Sequence, residues 1–74
     1  VLVSVKWSKD VYSSNVSMIS WQEEPPAMIV TWQKGKRSAY AGVPEDLAWD
    51  VANAPSVGTM LNTDIKNRYP HSYV

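Results

Sequence analysis

Two clusters of basic residues next to large aromatics carry most of the chemistry on offer in this sequence. Lys34, Lys36 and Arg37 crowd one short turn, Lys66 and Arg68 close the last helical pattern, and Trp32 and Tyr40 lie on either side of the turn. Cations beside aromatic faces suit single-stranded RNA or a nucleotide, because the charges meet phosphates while the rings stack on bases. Ser56-Val57-Gly58 opens a helical pattern, where backbone N–H groups can face an anion and glycine permits close approach. The expected ligand site therefore takes charge from Lys36, Arg37, Lys66 and Arg68, backbone donors from Ser56 to Gly58, and stacking from Tyr40 or Trp32. Each also has a plainer reading: a solvated hairpin tip, cations at the negative end of a helix, and an ordinary N-cap. Ser13-Ser14-Asn15 offers hydroxyls and an amide, and its plainer reading is a turn that bonds its own backbone.

A second group contains no cation. Trp49 falls beside Glu45 and Asn53 on the outward side of a helical pattern, and tryptophan is enriched among the residues that dominate protein interfaces. Trp49, together with Trp7 in the N-terminal strand, is the expected subunit or partner contact. Asp46 and Asp50 lie one turn apart, but calcium needs six to eight oxygens, so they read as a charged helix face and no metal site is expected. Catalysis has little to work with: there is one histidine, His71, in the terminal tail, no cysteine, and no phosphate-loop glycine pattern. The expectation is a chain without catalytic residues or cofactor.

These side chains must be positioned by a small sheet and two helices. Val1 to Trp7 alternates as a half-buried strand, and the polar Ser8-Lys9-Asp10 is expected to interrupt it. Val16 to Gln22 carries apolar groups on both sides and reads as a central strand, followed by a Glu23-Glu24-Pro25-Pro26 loop. In Ala27 to Gln33 the set Met28, Val30 and Trp32 should point at the helices. Gln33-Lys34-Gly35-Lys36 marks a hairpin into a return strand, Arg37 to Ala41. Pro44 fits a first helical turn with Glu45 and Asp46 at its positive end, and the inner stripe is Leu47, Val51 and Ala54, closed by Pro55. Ser56 then caps a second helix in which Val57, Leu61, Ile65 and Tyr69 recur every fourth residue until Pro70 stops it. The tail His71 to Val74 is expected to be draped or loose.

Composition sets the limits. A chain of 74 residues is one domain, and a domain this small buries only about 60% of its unfolded surface. With no cysteine there is no disulfide to supplement the core, so its four Trp and four Tyr, or self-association, must do so. Seven basic and seven acidic residues cancel, which removes the long-range field behind non-specific duplex binding. No apolar run approaches the ~20 residues of a membrane span, and the N-terminus lacks the pattern of a signal peptide, so the expected setting is cytoplasmic without a membrane partner.

From Val11 onward the chain resembles the KTSC domain, a module similar to the C-terminal part of some lysyl-tRNA synthetases and to stand-alone bacterial and phage proteins. The residues that carry the likeness are Ser13-Ser14 with Val16, the strand Met28, Val30, Trp32, and the turn glycine Gly35. They continue with Tyr40, Val43-Pro44, Ala54-Pro55-Ser56-Val57-Gly58, Leu61-Asn62, Ile65 and Arg68-Tyr69-Pro70. Ser38 stands where the family pattern has a second tyrosine, and Leu61 where it has phenylalanine. Residues 1–10 read as a strand extension, 11–70 as the family-like core and 71–74 as a tail. The resemblance implies an α+β fold, a small antiparallel sheet of three to four strands with two C-terminal helices on one face. It also implies a non-catalytic binding role toward RNA or a nucleotide-like anion, by sequestration or presentation, with Asn62 counted among the ligand residues. The alternative is a self-associating protein–protein module, such as a phage-encoded inhibitor of a host factor, working through Trp49 and the N-terminal strand.

Overall fold

The structure, a computed structural model, describes residues 5–73. Five strands run in the order β1 (Val5–Asp10), β2 (Val16–Gln22), β3 (Ala27–Trp32), β4 (Arg37–Ala41) and β5 (His71–Tyr73), every neighbouring pair antiparallel. The helices α1 (Glu45–Ala52) and α2 (Val57–Met60), the latter continuing into a π-helical turn (Leu61–Ile65), intervene between β4 and β5. The fold is thus α+β, with five strands rather than three to four.

The additional strand is residues 71–73 of the tail, expected to be draped or loose; Val74 lies outside the described residues. Tyr73, Ser72 and His71 pair with Ser38, Ala39 and Tyr40, so main-chain bonding to the β4 edge orders a segment whose own side chains are all exposed. The first strand also runs further than its alternation implied. Ser8-Lys9-Asp10 continues β1 through pairs with Ser20, Ile19 and Met18, because an exposed edge strand is held by backbone register and needs no apolar side chains. Residues 1–4 of the expected strand lie outside the described residues.

Register explains which side chains form the core. A shift between Val16 and Met18 turns Val16 to the same face as Ile19 and Trp21, leaving Met18 opposite. Met28 and Val30 are fully buried on that face and Trp32 packs against its margin, as the alternation of β3 implied. The Trp21 indole N–H donates to the Val43 carbonyl at 2.8 Å, which pins the β4–α1 junction to the middle of the sheet. Gly42, at φ +82°, makes the sharp exit from β4.

Helix α1 buries Ala48, Val51 and Ala52 with Leu47 at their margin, and it ends at Ala52 rather than at Pro55. Ala54 precedes a proline and is biased away from helical backbone, so the last turn closes one step early on Asn53. The second helical pattern is shorter and less regular than a Ser56-capped helix running to Tyr69. A spacing of four between Val57, Leu61, Ile65 and Tyr69 overshoots the 3.6-residue turn by about 0.4 residue each time, so a pure α-helix would rotate the stripe off the core. The chain relaxes instead into the wider π turn, with Lys66 N–H donating five residues back to Leu61 at 2.9 Å. Leu61 and Ile65 consequently both stay buried.

Candidate functional site

Strand pairing lays two rows of side chains across the helix-facing side of the sheet. One row is Trp7, Trp21, Met28, Tyr40 and His71, and the other is Lys9, Ile19, Val30, Ser38 and Tyr73. The buried cluster that includes Ala48, Val51, Leu61 and Ile65 covers the middle of these rows. Their ends emerge at the two margins, with Trp7 and Lys9 at the β1 edge and His71 and Tyr73 at the β5 edge.

At the β5 margin, three adjoining clefts of about 590, 310 and 310 Å³ converge on Tyr73. The first is lined by Gly35, Lys36 and Arg37 of the hairpin tip, and the second by Ser14, Asn15, Trp32, Lys34 and Lys36. The third lies between the sheet and the chain that follows the π turn, and Trp32, Tyr40, Lys66 and His71 line it. The Lys36 ammonium sits 5.9 Å from the centre of the Tyr73 ring and that of Lys66 sits 5.7 Å from the Trp32 ring. The Trp32 indole is fixed by a 2.8 Å hydrogen bond that it donates to the hydroxyl of buried Ser38. At this position a serine supplies the acceptor that orients the neighbouring ring.

The predicted ligand residues separate into two sets. Lys36, Arg37, Tyr40 and Lys66 come together here, while Ser56, Gly58, Asn62 and Arg68 do not line these clefts. Ser56 makes no side-chain cap bond to the backbone; its hydroxyl donates to Thr59 instead, and α2 has only four residues to add to a dipole. A Cβ added at Gly58 would meet only the Ser13 hydroxyl at an ordinary 3.8 Å, so no close backbone cradle is built there. Asn62 and Arg68 are exposed, on the π turn and just after it. Tyr40 is 2% exposed, with the His71 ring tilted against it at 5.1 Å, and so forms the floor of the cleft. Burial, and secondarily the neighbouring Tyr73, push its hydroxyl above the ordinary tyrosine pKa. The accessible ring is Tyr73, 70% exposed, which sequence reasoning missed because nothing local ties a terminal residue to a hairpin far upstream.

This margin can receive a flat group against the fixed Trp32 indole and the exposed Tyr73 ring and put ammonium groups on an attached anion. A Lys over an exposed ring contributes only about 0.5–1 kcal/mol, so the Lys36 ammonium can leave Tyr73 for a phosphate at small cost. Among the described residues, no group of three or more His, Cys, Asp or Glu is placed to hold a metal.

The other margin holds Trp7 and Trp49, edge to face with centroids 5.1 Å apart. Glu45 binds both the Trp7 indole N–H and the Lys6 ammonium, each at 3.1 Å, and this contact raises the pKa of Lys6 above the ordinary lysine value. Trp49 remains 50% exposed.

A five-stranded antiparallel meander, one face packed by short helices inserted before its last strand, and an aromatic, cationic margin beside that strand define a small sheet-and-helix module. The KTSC domain model matches residues 12–69, more than half of the chain, and the protein belongs to the KTSC domain family. The crystal structure of a KTSC domain protein from Yersinia pestis superposes with a TM-score of 0.81 over 92% of this chain and 96% of that one, at 22% identity, which establishes the shared fold. No curated protein is similar enough to the chain to count as a match. Among the described residues, no helix is long and apolar enough to cross a membrane.

Proposed function

We propose that this KTSC domain is a non-catalytic binding module for single-stranded RNA or a nucleotide-like anion, gripped at the β5 margin. The observation that carries the reading is the meeting of Trp32 and Tyr73, each with a lysine over its ring, beside the further cations Lys34 and Arg37. Bases stack on the rings at about 1–3 kcal/mol each, and the lysines turn outward to the phosphates. Ser38 holds the Trp32 indole in place before the ligand arrives, so little ordering is left to be done on binding.

The test is a calorimetric titration with a short single-stranded oligoribonucleotide and, separately, a mononucleotide at low salt. Tyr73→Ala should weaken binding about 5- to 150-fold, and Lys66→Gln should weaken it by a smaller factor. An oligonucleotide that binds much more tightly than the mononucleotide identifies RNA as the ligand class. Absence of saturable binding by either, or full affinity in Tyr73→Ala, would end the proposal.

A further inference from the structure

The β1 margin is chemically the reverse of the β5 margin. A cleft of about 430 Å³ is lined by Trp7, Trp49, Glu45, Asp46 and Asp50. Its walls are indole and carboxylate. Glu45 is occupied by Lys6 and Trp7, whereas Asp46 and Asp50 make no ion pair among the described residues. They stand one turn apart on α1, where two like charges repel and a shared cation relieves the repulsion.

The Trp49 ring already takes a cation of the molecule's own, from outside the lining of the cleft. The Lys9 ammonium lies 5.4 Å from the centre of the Trp49 ring, held by the Asn53 side-chain oxygen. Even so, Trp49 stays half exposed, a large apolar surface beside free carboxylates. A planar guanidinium fits this combination better than an ammonium, because it stacks on an indole and offers paired N–H donors to carboxylates.

We infer that the Trp7–Trp49 cleft is a docking site for an arginine-bearing segment of a protein partner, with the guanidinium laid on Trp49 and bonded to Asp46 and Asp50. The site lies at the opposite sheet edge from the Tyr73 cluster and does not rest on the nucleotide reading. Its partner is selected by charge and planarity, and salt should weaken the contact without abolishing the stacking part.

The experiment is calorimetry of the full chain with a short two-arginine peptide in a glycine–serine background, against the same peptide with citrulline in place of arginine. Citrulline keeps the shape and removes the charge. The expected result is saturable binding of the arginine peptide and at least tenfold weaker binding of the citrulline peptide. Asp46→Asn with Asp50→Asn, both exposed positions, should reproduce that loss with an unchanged circular dichroism spectrum, while Tyr73→Ala binds the arginine peptide normally. No saturable binding, equal affinity for the two peptides, or full affinity in the double variant overturns the inference. So does sedimentation of the free chain as a dimer that Trp49→Ala dissociates, since the cleft would then be occupied by a second copy.

Discussion

Tyr40 shows how one side chain can belong both to the core and to the margin. Its ring is buried between Met28 and His71 in the cross-strand row, and its hydroxyl is kept protonated above the ordinary range by that burial first and by Tyr73 second. A tyrosine whose folded pKa is raised favours its neutral form in the native state. The stability it contributes is complete below its unfolded pKa of about 10 and is lost as pH rises through the higher folded value. Ultraviolet difference titration should therefore show a late tyrosine step above the ordinary tyrosine pKa. In Tyr40→Phe that late step should vanish, together with part of the alkaline loss of stability in urea unfolding. A single transition at the ordinary value in the wild-type chain would contradict the burial seen here. Tyr40 was legible in the sequence as an aromatic on the return strand beside the hairpin turn. Its depth was not, because it depends on β5 closing over the β4 edge.

Turns and helices differ in how much of their logic is local. Pro44, the acidic first turn, the hairpin glycine and the alternation in β3 each state their geometry within a few residues, so β2, β3, β4 and the start of α1 were readable. β1 and β5 are edge strands defined by pairing with distant segments: alternation up to Trp7 announced only the first part of β1, and residues 8–10 and 71–73 carry no periodic apolar signal. The π turn arises from a conflict between a spacing of four and the α-helical period. Two of the three glycines illustrate the same division. Gly42 needs its positive φ of +82° although nothing crowds the site, so Gly42→Ala should cost about 1–2 kcal/mol through backbone conformation alone. Gly58 is helical, and its nearest obstacle is 3.8 Å away, so Gly58→Ala should stabilise by about 0.5–1 kcal/mol. Paired urea melts of the two variants give opposite signs if the backbone is as described; destabilisation by Gly58→Ala would show that the helix start is strained or more tightly packed. The same variant should leave nucleotide binding intact, since no ligand contact is assigned to Gly58.

Net neutrality conceals a sorted molecule. The surface area of 4671 Å² is close to the ~4,600 Å² expected of a compact monomer of 8.3 kDa, so the fold closes on itself. Lys34 and Lys36 occupy the β3–β4 turn and Arg37 opens β4, while Glu23 and Glu24 occupy the β2–β3 turn at the other end of β3. Opposite charges at the two ends of one strand cancel at long range and act separately at short range. A single-stranded ligand at the β5 margin meets only the basic end, and neutralising three phosphates there gives a slope of log affinity against log salt of about −2. Removing one of those contacts by Lys36→Gln should flatten the slope by about 0.7, with a loss of affinity that shrinks as salt rises. Glu23→Gln, at the far end of the strand, should leave the slope unchanged, because the intervening distance exceeds the ~10 Å over which exposed charges interact at ordinary ionic strength. Equal effects from the two substitutions would mean that the ligand senses net charge rather than the local cluster, and the β5 margin would lose its claim as the place of contact.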